Sequence, residues 1–363
     1  MISSSPASTP SKPTAVWSDM PAEASHPAAG TPSPRPLRLV VMGTGPFAVP
    51  MFEALRISPH EIVAVVTRPD RVAPGRRPPH NPMREAASAA GMPVLDPANI
   101  NDATSIAALR GLAPDLLVVC DYGQILSAEV LGLTPCGGIN LHGSLLPRHR
   151  GAAPVQWAIL EGDPVTGVSV IHMTPALDAG AVIVALSTPI GPRETAAELE
   201  QRLAMLGADA VLEALDRLQA ARSMGALTAG QSIGTPQDAA RATRAPRFSK
   251  ADGIIDWSQP ASRIARMRRA FEPWPRTATV YRRDGDARRL VVEECDVLDM
   301  AFLPAGDAKP PGTVLAADDN GIVVACGDGT ALGIRRVVPE GKRSMSAAEF
   351  LRGNGLHPGT VLG

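Results

Sequence analysis

Asn140 and His142 stand two positions apart in the segment INLHGSLLPRHRGAAP, which covers residues 139–154. In an extended strand, residues i and i+2 point to the same face, so we expect the amide and the imidazole to project side by side. Burying two polar groups in an otherwise apolar strand costs free energy unless they are hydrogen-bonded or used. The pair therefore indicates either a satisfied polar couple in the core or a functional site.

A third polar group is needed to orient the imidazole, and Asp178 is the best candidate. It lies in the turn LDAG directly after the next predicted strand, GVSVIHM, and is therefore expected at the same sheet edge. Asp163 is a weaker candidate, because Gly-Asp-Pro is typical of a plain surface turn. His172 alternates with apolar neighbours, which predicts a core histidine, whereas His149 lies in a basic loop and could contact either substrate or solvent.

An amide, an imidazole and a carboxylate, with no metal ligands and no Ser or Cys nucleophile beside them, suit direct acyl transfer to an amine. A histidine side chain, with an ordinary pKa of about 6.5, can take a proton from the attacking amine and return one to the leaving nitrogen. The amide can donate to the oxyanion of the tetrahedral intermediate. We therefore predict Asn140, His142 and Asp178 as catalytic residues. The carboxylate would set the imidazole tautomer or hold a water that relays protons.

The elements that must position these residues begin at Leu37, where apolar strands start to alternate with helical segments. That alternation predicts βαβ units in a parallel sheet with helices on both faces. A long amphipathic helix is predicted over 194–219. After an unpatterned stretch over 223–247, a helix at 261–271 precedes short strands separated by turn pairs such as Asn320-Gly321, which indicates a small antiparallel barrel or sandwich.

The first predicted strand ends in GTGPFA, residues 43–48, which matches the dinucleotide fingerprint GxGxxA. A dinucleotide site also needs an acid at the end of the second strand, and Asp70 comes a few residues late. We therefore favour a tight strand-to-helix turn over nicotinamide binding.

Composition limits the classes of protein. The chain has 363 residues, 45% apolar and 20% charged, with a net charge of −1. Residues 241–363 hold 19 Lys and Arg against 15 Asp and Glu, a weak sign of an anionic partner and equally compatible with a solvated surface. The four cysteines form no CxxC pair, which argues against a zinc cluster or disulfide framework and fits a reducing cytosol. No run of 18 apolar residues is present, so no membrane partner is expected.

Taken together, several ordered motifs identify a family. The sequence resembles the folate-dependent formyltransferases, and most closely those that act on methionyl-tRNA. The resemblance covers about residue 37 to the C-terminus, and the C-terminal motifs indicate the tRNA branch. The matching segments are FAVP, YGQIL, NLHGSLLPRHRGAAPVQWAI, TGVSVIHMTPALDAG, DGIIDW, RAFEPWP and KRSMSAAEFL.

The resemblance implies an α/β fold with a Rossmann-like N-terminal formyltransferase domain, a mainly parallel sheet and a small C-terminal OB-like β-barrel. With the composition, it predicts a disordered extension at 1–36, a catalytic domain at 37–222, a linker at 223–247 and a tRNA-binding domain at 248–363. The implied donor is 10-formyltetrahydrofolate and the implied acceptor is the amino group of initiator methionyl-tRNA. We expect a cytoplasmic monomer without a metal.

Residue roles follow from the same resemblance. Asn140, His142 and Asp178 fall on the catalytic trio of the family. The implied folate-binding residues are Ser144, Leu145, Leu146, Pro147, Tyr122, Gly123, Gln124 and Ile125. The implied tRNA contacts are Arg71, Arg76 and Arg77, in a loop at 68–84 whose alternative interpretation is a solvated Pro/Arg loop.

The chain departs from the family pattern at several positions. The family usually has GTPxFA where this chain has GTGPFA, so Gly45 stands at the usual proline position and Pro46 is displaced by one. Asp121 replaces a small apolar residue, and Ala179 replaces a threonine. Pro78 and Pro79 stand where lysines are common, which puts tight tRNA contact by that loop in question.

Two other functions stay open at this point. The same catalytic half could formylate a nucleotide-linked amino sugar, which activity on such an acceptor would reveal. A non-catalytic tRNA-binding protein is the alternative from another class, and the intact trio argues against it.

Overall fold

A computed structural model gives the fold, and it describes residues 35–70, 80–225, 232–283, 285–298 and 309–363. Most of the predicted extension lies outside the described residues. So do Arg71, Arg76, Arg77, Pro78 and Pro79.

Seven strands form the sheet of the first half. They are β1 (Arg38–Gly43), β2 (Glu61–Val66), β3 (Val94–Leu95), β4 (Leu116–Cys120), β5 (Gly138–His142), β6 (Val165–His172) and β7 (Val182–Pro189). Their order is β3-β2-β1-β4-β5-β6-β7, and the pairings from β3 to β5 are all parallel. β4 is buried along its whole length, as an apolar strand covered on both faces should be. The predicted mainly parallel sheet is confirmed.

Helices cover the two faces of this sheet. They are α1 (Val49–Arg56), α2 (Pro82–Ala89), α3 (Ala103–Gly111), α4 (Ala128–Leu131), α5 (Pro154–Glu161) and α6 (Ala196–Ser223). The long helix predicted over 194–219 starts later because Thr195 and Glu198 form a capping box at its N-terminus. Within the described residues, no helix has the length and apolarity needed to cross a membrane.

The chain packs closely around Gly43, at the end of β1. A Cβ on Gly43 would lie 2.7 Å from the Cβ of Ala48 and 3.0 Å from the carbonyl oxygen of Cys120. This crowding accords with a tight turn from β1 into the short 3₁₀ turn Pro46–Ala48 and then α1.

We expected β6 to end at the same sheet edge as β5, so that Asp178 would follow it beside His142. That expectation about the strand was wrong. β6 runs antiparallel to β5, with His142 opposite Ser169 and Ile139 opposite His172, so the carboxyl end of β6 lies at the other edge. The loop after β6 nevertheless reaches back, because Oδ2 of Asp178 lies 3.8 Å from Nδ1 of His142.

The second half is an antiparallel β structure with two helices. Its elements are α7 (Ala261–Ala270), β8 (Ala278–Arg283), β9 (Asp286–Leu298), β10 (Val314–Asp318), β11 (Gly321–Ala325), β12 (Ala331–Pro339), β13 (Met345–Ser346) and α8 (Ala347–Gly353). The order is β10-β11-β12-β9-β8, with β13 beside β12. Near the C-terminus, Leu362 N–H donates to Gly312 at 2.9 Å and Gly363 N–H donates to Val280 at 2.9 Å, linking the two edges. The OB-like barrel is confirmed. Ser346 and Glu349 form a capping box that begins α8.

An aromatic cluster joins the two halves. Trp157 of α5 stacks on Phe248 with ring centroids 4.9 Å apart, and Phe248 meets Phe271 edge-on at 4.7 Å. The indole of Trp157 also donates to the carbonyl of Pro246 at 2.9 Å. The far end of the segment that connects the halves is therefore anchored beside α5.

Candidate active site

His142 ends β5 with its ring buried and held at a defined tautomer. Its Nε2 lies 2.9 Å from the carbonyl oxygen of His149. A carbonyl only accepts, so Nε2 must carry the hydrogen and, in the neutral ring, Nδ1 keeps a free lone pair. That lone pair lies on the side of Asp178, whose Oδ2 is 3.8 Å from Nδ1. The arrangement leaves Nδ1 as the proton-accepting atom.

Asp178 is fixed through its carboxylate and through its backbone. Its Oδ2 accepts a hydrogen bond from the backbone N–H of Gly151 at 2.8 Å. Its carbonyl accepts from the side-chain amide of Gln237 at 2.8 Å. Its φ of 48° lies in the left-handed region, which a non-glycine residue adopts only at a cost. These bonds hold the carboxylate beside His142 against that cost.

Asn140 precedes His142 on β5, and both line a cavity of about 380 Å³ together with Asp178. Within the described part of the chain, the Asn140 side chain makes no hydrogen bond. Its amide is therefore available to a ligand, and the three residues predicted from the sequence meet at one cavity wall.

Four residues predicted to bind folate line the same cavity: Tyr122, Gly123, Gln124 and Ile125. The side chain of Gln124 is occupied, since it accepts from Ile100 N–H at 2.9 Å and donates to the Pro97 carbonyl at 3.1 Å. Ile125 instead is 75% exposed and lines the cavity. Burial raises the pKa of Tyr122 to about 12, so its phenol stays protonated. This wall offers apolar surface and backbone polar groups.

The other four, Ser144, Leu145, Leu146 and Pro147, are not among the residues that line the cavity. The Ser144 hydroxyl donates to the Arg148 carbonyl at 2.7 Å, and the Ser144 carbonyl accepts from the Ser169 hydroxyl at 2.7 Å. These residues brace the loop that presents the His149 carbonyl to His142. Their direct contact with a donor stays a prediction.

His149 is buried and is not among the residues that line the cavity, so its interpretation as a solvent-facing loop residue was wrong. It is 4% exposed, and its Nε2 lies 2.7 Å from Oδ2 of Asp163. Its backbone N–H donates to the Thr243 hydroxyl at 2.8 Å, and its φ is 59°. Asp163 also accepts from Arg148 at 2.6 Å, so it is more than a surface-turn residue. The pair secures the carbonyl that fixes the tautomer of His142.

His172 is buried, as predicted. Its Nε2 accepts a hydrogen bond from the backbone N–H of Ile233 at 3.1 Å, and burial lowers the pKa of the ring. The ring is therefore neutral and serves the core.

A second group of charges lines the cavity, and sequence reasoning missed most of it. Asp121, Glu200 and Arg247 all contribute to the wall. Burial raises the pKa of the Asp121 carboxyl, although Arg247, the Gly45 N–H and Arg68 oppose the shift. Burial and the charge of Asp121 raise the pKa of Glu200. Of these three residues, only Asp121 stood out in the sequence, because it departs from the family pattern.

The departures at Gly45 and Asp121 fit one another. A Cβ on Gly45 would lie 1.9 Å from Oδ2 of Asp121. The backbone N–H of Gly45 also faces that carboxylate, and a proline there would remove it.

Comparison with known proteins decides the family. The formyl transferase model matches residues 37–215, and the model of the formyl transferase C-terminal domain matches residues 247–355. The methionyl-tRNA formyltransferase of Rhodopirellula baltica is 46% identical over 333 residues, which is 90% of this chain and 96% of that protein. The chain belongs to the formyltransferase family. A second methionyl-tRNA formyltransferase, from Anaeromyxobacter dehalogenans, is 43% identical over 87% of this chain and 97% of its own length.

Solved structures share the fold of this formyltransferase at low sequence identity. A sugar 3N-formyl transferase, WlaRD, solved in the presence of dTDP and 5-N-formyl-THF, aligns with a TM-score of 0.57 at 13% identity, over 85% of this chain and 99% of that one. HypX from Aquifex aeolicus, in complex with tetrahydrofolic acid, aligns at 0.53 and 18% identity, over 87% of this chain and 47% of its own.

Proposed function

We propose that this formyltransferase moves a formyl group from 10-formyltetrahydrofolate to the amino group of initiator methionyl-tRNA in the cytoplasm. Full-length similarity to methionyl-tRNA formyltransferases, through both halves of the chain, supports this acceptor. The observation that carries the chemistry is the Nδ1 atom of His142, which lies 3.8 Å from Asp178 on the cavity wall that Asn140 shares.

The proposed reaction is a direct acyl transfer. The acceptor amine attacks the formyl carbon, and the new N–C bond gives a tetrahedral intermediate whose oxyanion accepts a hydrogen bond from Asn140. His142 takes the proton of the attacking nitrogen at Nδ1 and passes it to N10 of the folate as the bond from N10 to carbon breaks. The positive charge on the ring forms beside the carboxylate of Asp178, which stabilises it.

The donor is proposed to lie against Tyr122, Gly123, Gln124 and Ile125. The cavity of about 380 Å³ falls in the range typical of small-molecule sites. Ile125 and Leu177 line this cavity and are 75% and 66% exposed, and the flat pterin ring would cover them. Because the Gln124 side chain is already bonded, polar contacts on this wall would come from the backbone.

The tRNA contacts are proposed from the sequence. Arg71, Arg76 and Arg77 would meet acceptor-stem phosphates, and the OB-like half would hold the tRNA body. Lower affinity of an Arg76→Ala variant for charged tRNA, with a weaker salt dependence of binding, would support that assignment.

The test is an acceptor comparison. Purified protein is mixed with 10-formyltetrahydrofolate and, in parallel, with charged initiator methionyl-tRNA or a nucleotide-linked amino sugar. We expect formyl-methionyl-tRNA and no formylated sugar. Turnover of the sugar alone would replace the proposed acceptor, and tight tRNA binding without any turnover would indicate a binding protein.

A further inference from the structure

We infer that Gln237 is a positioning residue of the active site and that the segment 232–247, between the two folded halves, is a structural part of that site. The inference rests on the proposed function, because it assigns Gln237 a role in setting the geometry of Asp178.

The segment runs along the loops that carry the catalytic groups. At its start, Thr235 and Val182 exchange backbone hydrogen bonds of 2.8 and 2.9 Å. Further on, Arg150 N–H donates to the Thr243 carbonyl at 2.8 Å, and Ala245 N–H donates to the Arg150 carbonyl at 2.7 Å. The segment therefore lies between β7 and the loop after β5, and pairs with both.

The side-chain amide of Gln237 makes four hydrogen bonds within this arrangement. Its Nε2 donates to the carbonyls of Asp178 and Gly180, each at 2.8 Å. Its Oε1 accepts from Nε and Nη2 of Arg150 at 3.1 and 2.7 Å. Both donors and both lone pairs of a primary amide are thus in use. One side chain ties together two loops that are far apart in the sequence.

These bonds close a ring around the catalytic carboxylate. Arg150 is followed by Gly151, whose N–H donates to Oδ2 of Asp178 at 2.8 Å. Gln237 therefore holds Asp178 by its backbone and holds the donor of its carboxylate through the neighbouring guanidinium. Because Asp178 has a left-handed φ, it needs such external bonds to keep its conformation.

Only an amide satisfies both sides of the ring. Alanine at position 237 would remove the side-chain hydrogen bonds to both loops. Glutamate would keep a bond to Arg150 but lose both donors, and its charge would repel the carbonyls of Asp178 and Gly180. Comparison of Gln237→Ala with Gln237→Glu therefore distinguishes the effect of the bonds to Asp178 and Gly180 from the effect of the bonds to Arg150.

The matched control is Gln201→Ala in the first half of the chain. Gln201 is exposed on α6 and is not among the residues that line the cavity. Each variant is assayed with 10-formyltetrahydrofolate and charged initiator methionyl-tRNA, alongside thermal unfolding. Amide hydrogen exchange is followed in peptides covering 148–153 and 173–181.

We expect kcat of both Gln237 variants to fall by about 10- to 100-fold while KM for the folate changes less than about threefold, because a misplaced catalytic group slows chemistry more than binding. Exchange in both peptides should rise while the thermal midpoint stays above the assay temperature. Gln201→Ala should match the wild type.

Two results would overturn the inference: kcat of Gln237→Ala within about twofold of the wild type, or unchanged exchange in both peptides. A wild-type protein that formylates no charged tRNA would instead contradict the proposed function, and the exchange measurement would then decide the role of Gln237 by itself.

Discussion

The two ends of the cavity hold their polar groups in opposite ways. At the His142 end, Nε2 of His142 and the Asp178 carboxylate each have a partner in the protein. Behind them, Nε2 of His149 bonds Asp163, although its buried Nδ1 has no partner among the described residues. At the Asp121 end, within the described residues, neither Asp121 nor Glu200 has an ion pair within 4.0 Å, and burial raises the pKa of both. The first end is organised before a substrate arrives, as catalysis by fixed dipoles requires. The second end carries a net electrostatic cost of burial, which Arg247, the Gly45 N–H and Arg68 lessen at Asp121 without cancelling it.

The largest effect should come from breaking the organised end at its centre. His142→Ala removes the proposed proton-transfer group, and we expect kcat to fall by about 10²- to 10⁴-fold. Single-turnover formylation of charged tRNA measures it, with Gln201→Ala on the exposed face of α6 as the control. Turnover within a few-fold of the wild type would show that another group moves the proton.

A smaller effect should follow from weakening the contact between His149 and Asp163, which supports the loop at the His142 end. Asp163→Asn weakens the hold on the His149 ring, so the carbonyl that bonds His142 can shift. We expect kcat to drop about 10-fold with KM nearly unchanged. Asp209→Asn, on the exposed side of α6, is the matched control. An unchanged kcat for Asp163→Asn would mean that the loop keeps its shape without this pair.

At the Asp121 end of the cavity, a substitution should change the stability of the protein. Because folding raises the pKa of Asp121, the folded state binds its proton more tightly, and stability falls as the pH rises from the ordinary value of about 3.9 through the raised value. Asp121→Asn should therefore raise the thermal midpoint by about 2 °C at pH 8, with the gain disappearing at pH 4. Asp319→Asn, exposed in a turn, is the control. A gain that is larger at pH 4 than at pH 8 would contradict the burial cost.

The smallest effect should appear between Gly45 and Asp121. Gly45→Ala places a Cβ where Oδ2 of Asp121 lies, so the carboxylate must swing away. Thermal unfolding of Gly45→Ala, Asp121→Ala and the double variant should show a coupling of about 0.5–1 kcal/mol, with Gly45→Ala tolerated better once the carboxylate is gone. Strict additivity would mean that the two positions are independent.

Local patterns predicted most of the fold. Apolar runs such as LLVVC predicted the buried strands. The direction of β6 was not predictable in this way, because an antiparallel strand and a parallel one have the same apolar pattern in the sequence. Strand periodicity predicted that Asn140 and His142 project to one face, and both line the cavity. Their catalytic roles stay predictions.

Long-range partners were beyond reach of the sequence. Gln237 meets residues more than 50 positions away, and His149 meets Asp163 only because α5 turns back between them. Neither contact leaves a local signature, since a glutamine in an unpatterned segment and an aspartate in a Gly-Asp-Pro turn are both ordinary surface features.

The tautomer of His142 is the quantity that bears most directly on the proposed proton transfer. ¹⁵N NMR of the ring, assigned by comparison with His142→Ala, measures it in the neutral form. We expect the hydrogen on Nε2, bonded to the His149 carbonyl, and an unprotonated Nδ1 beside Asp178. A neutral ring with its hydrogen on Nδ1 would contradict the assignment of that atom as the base.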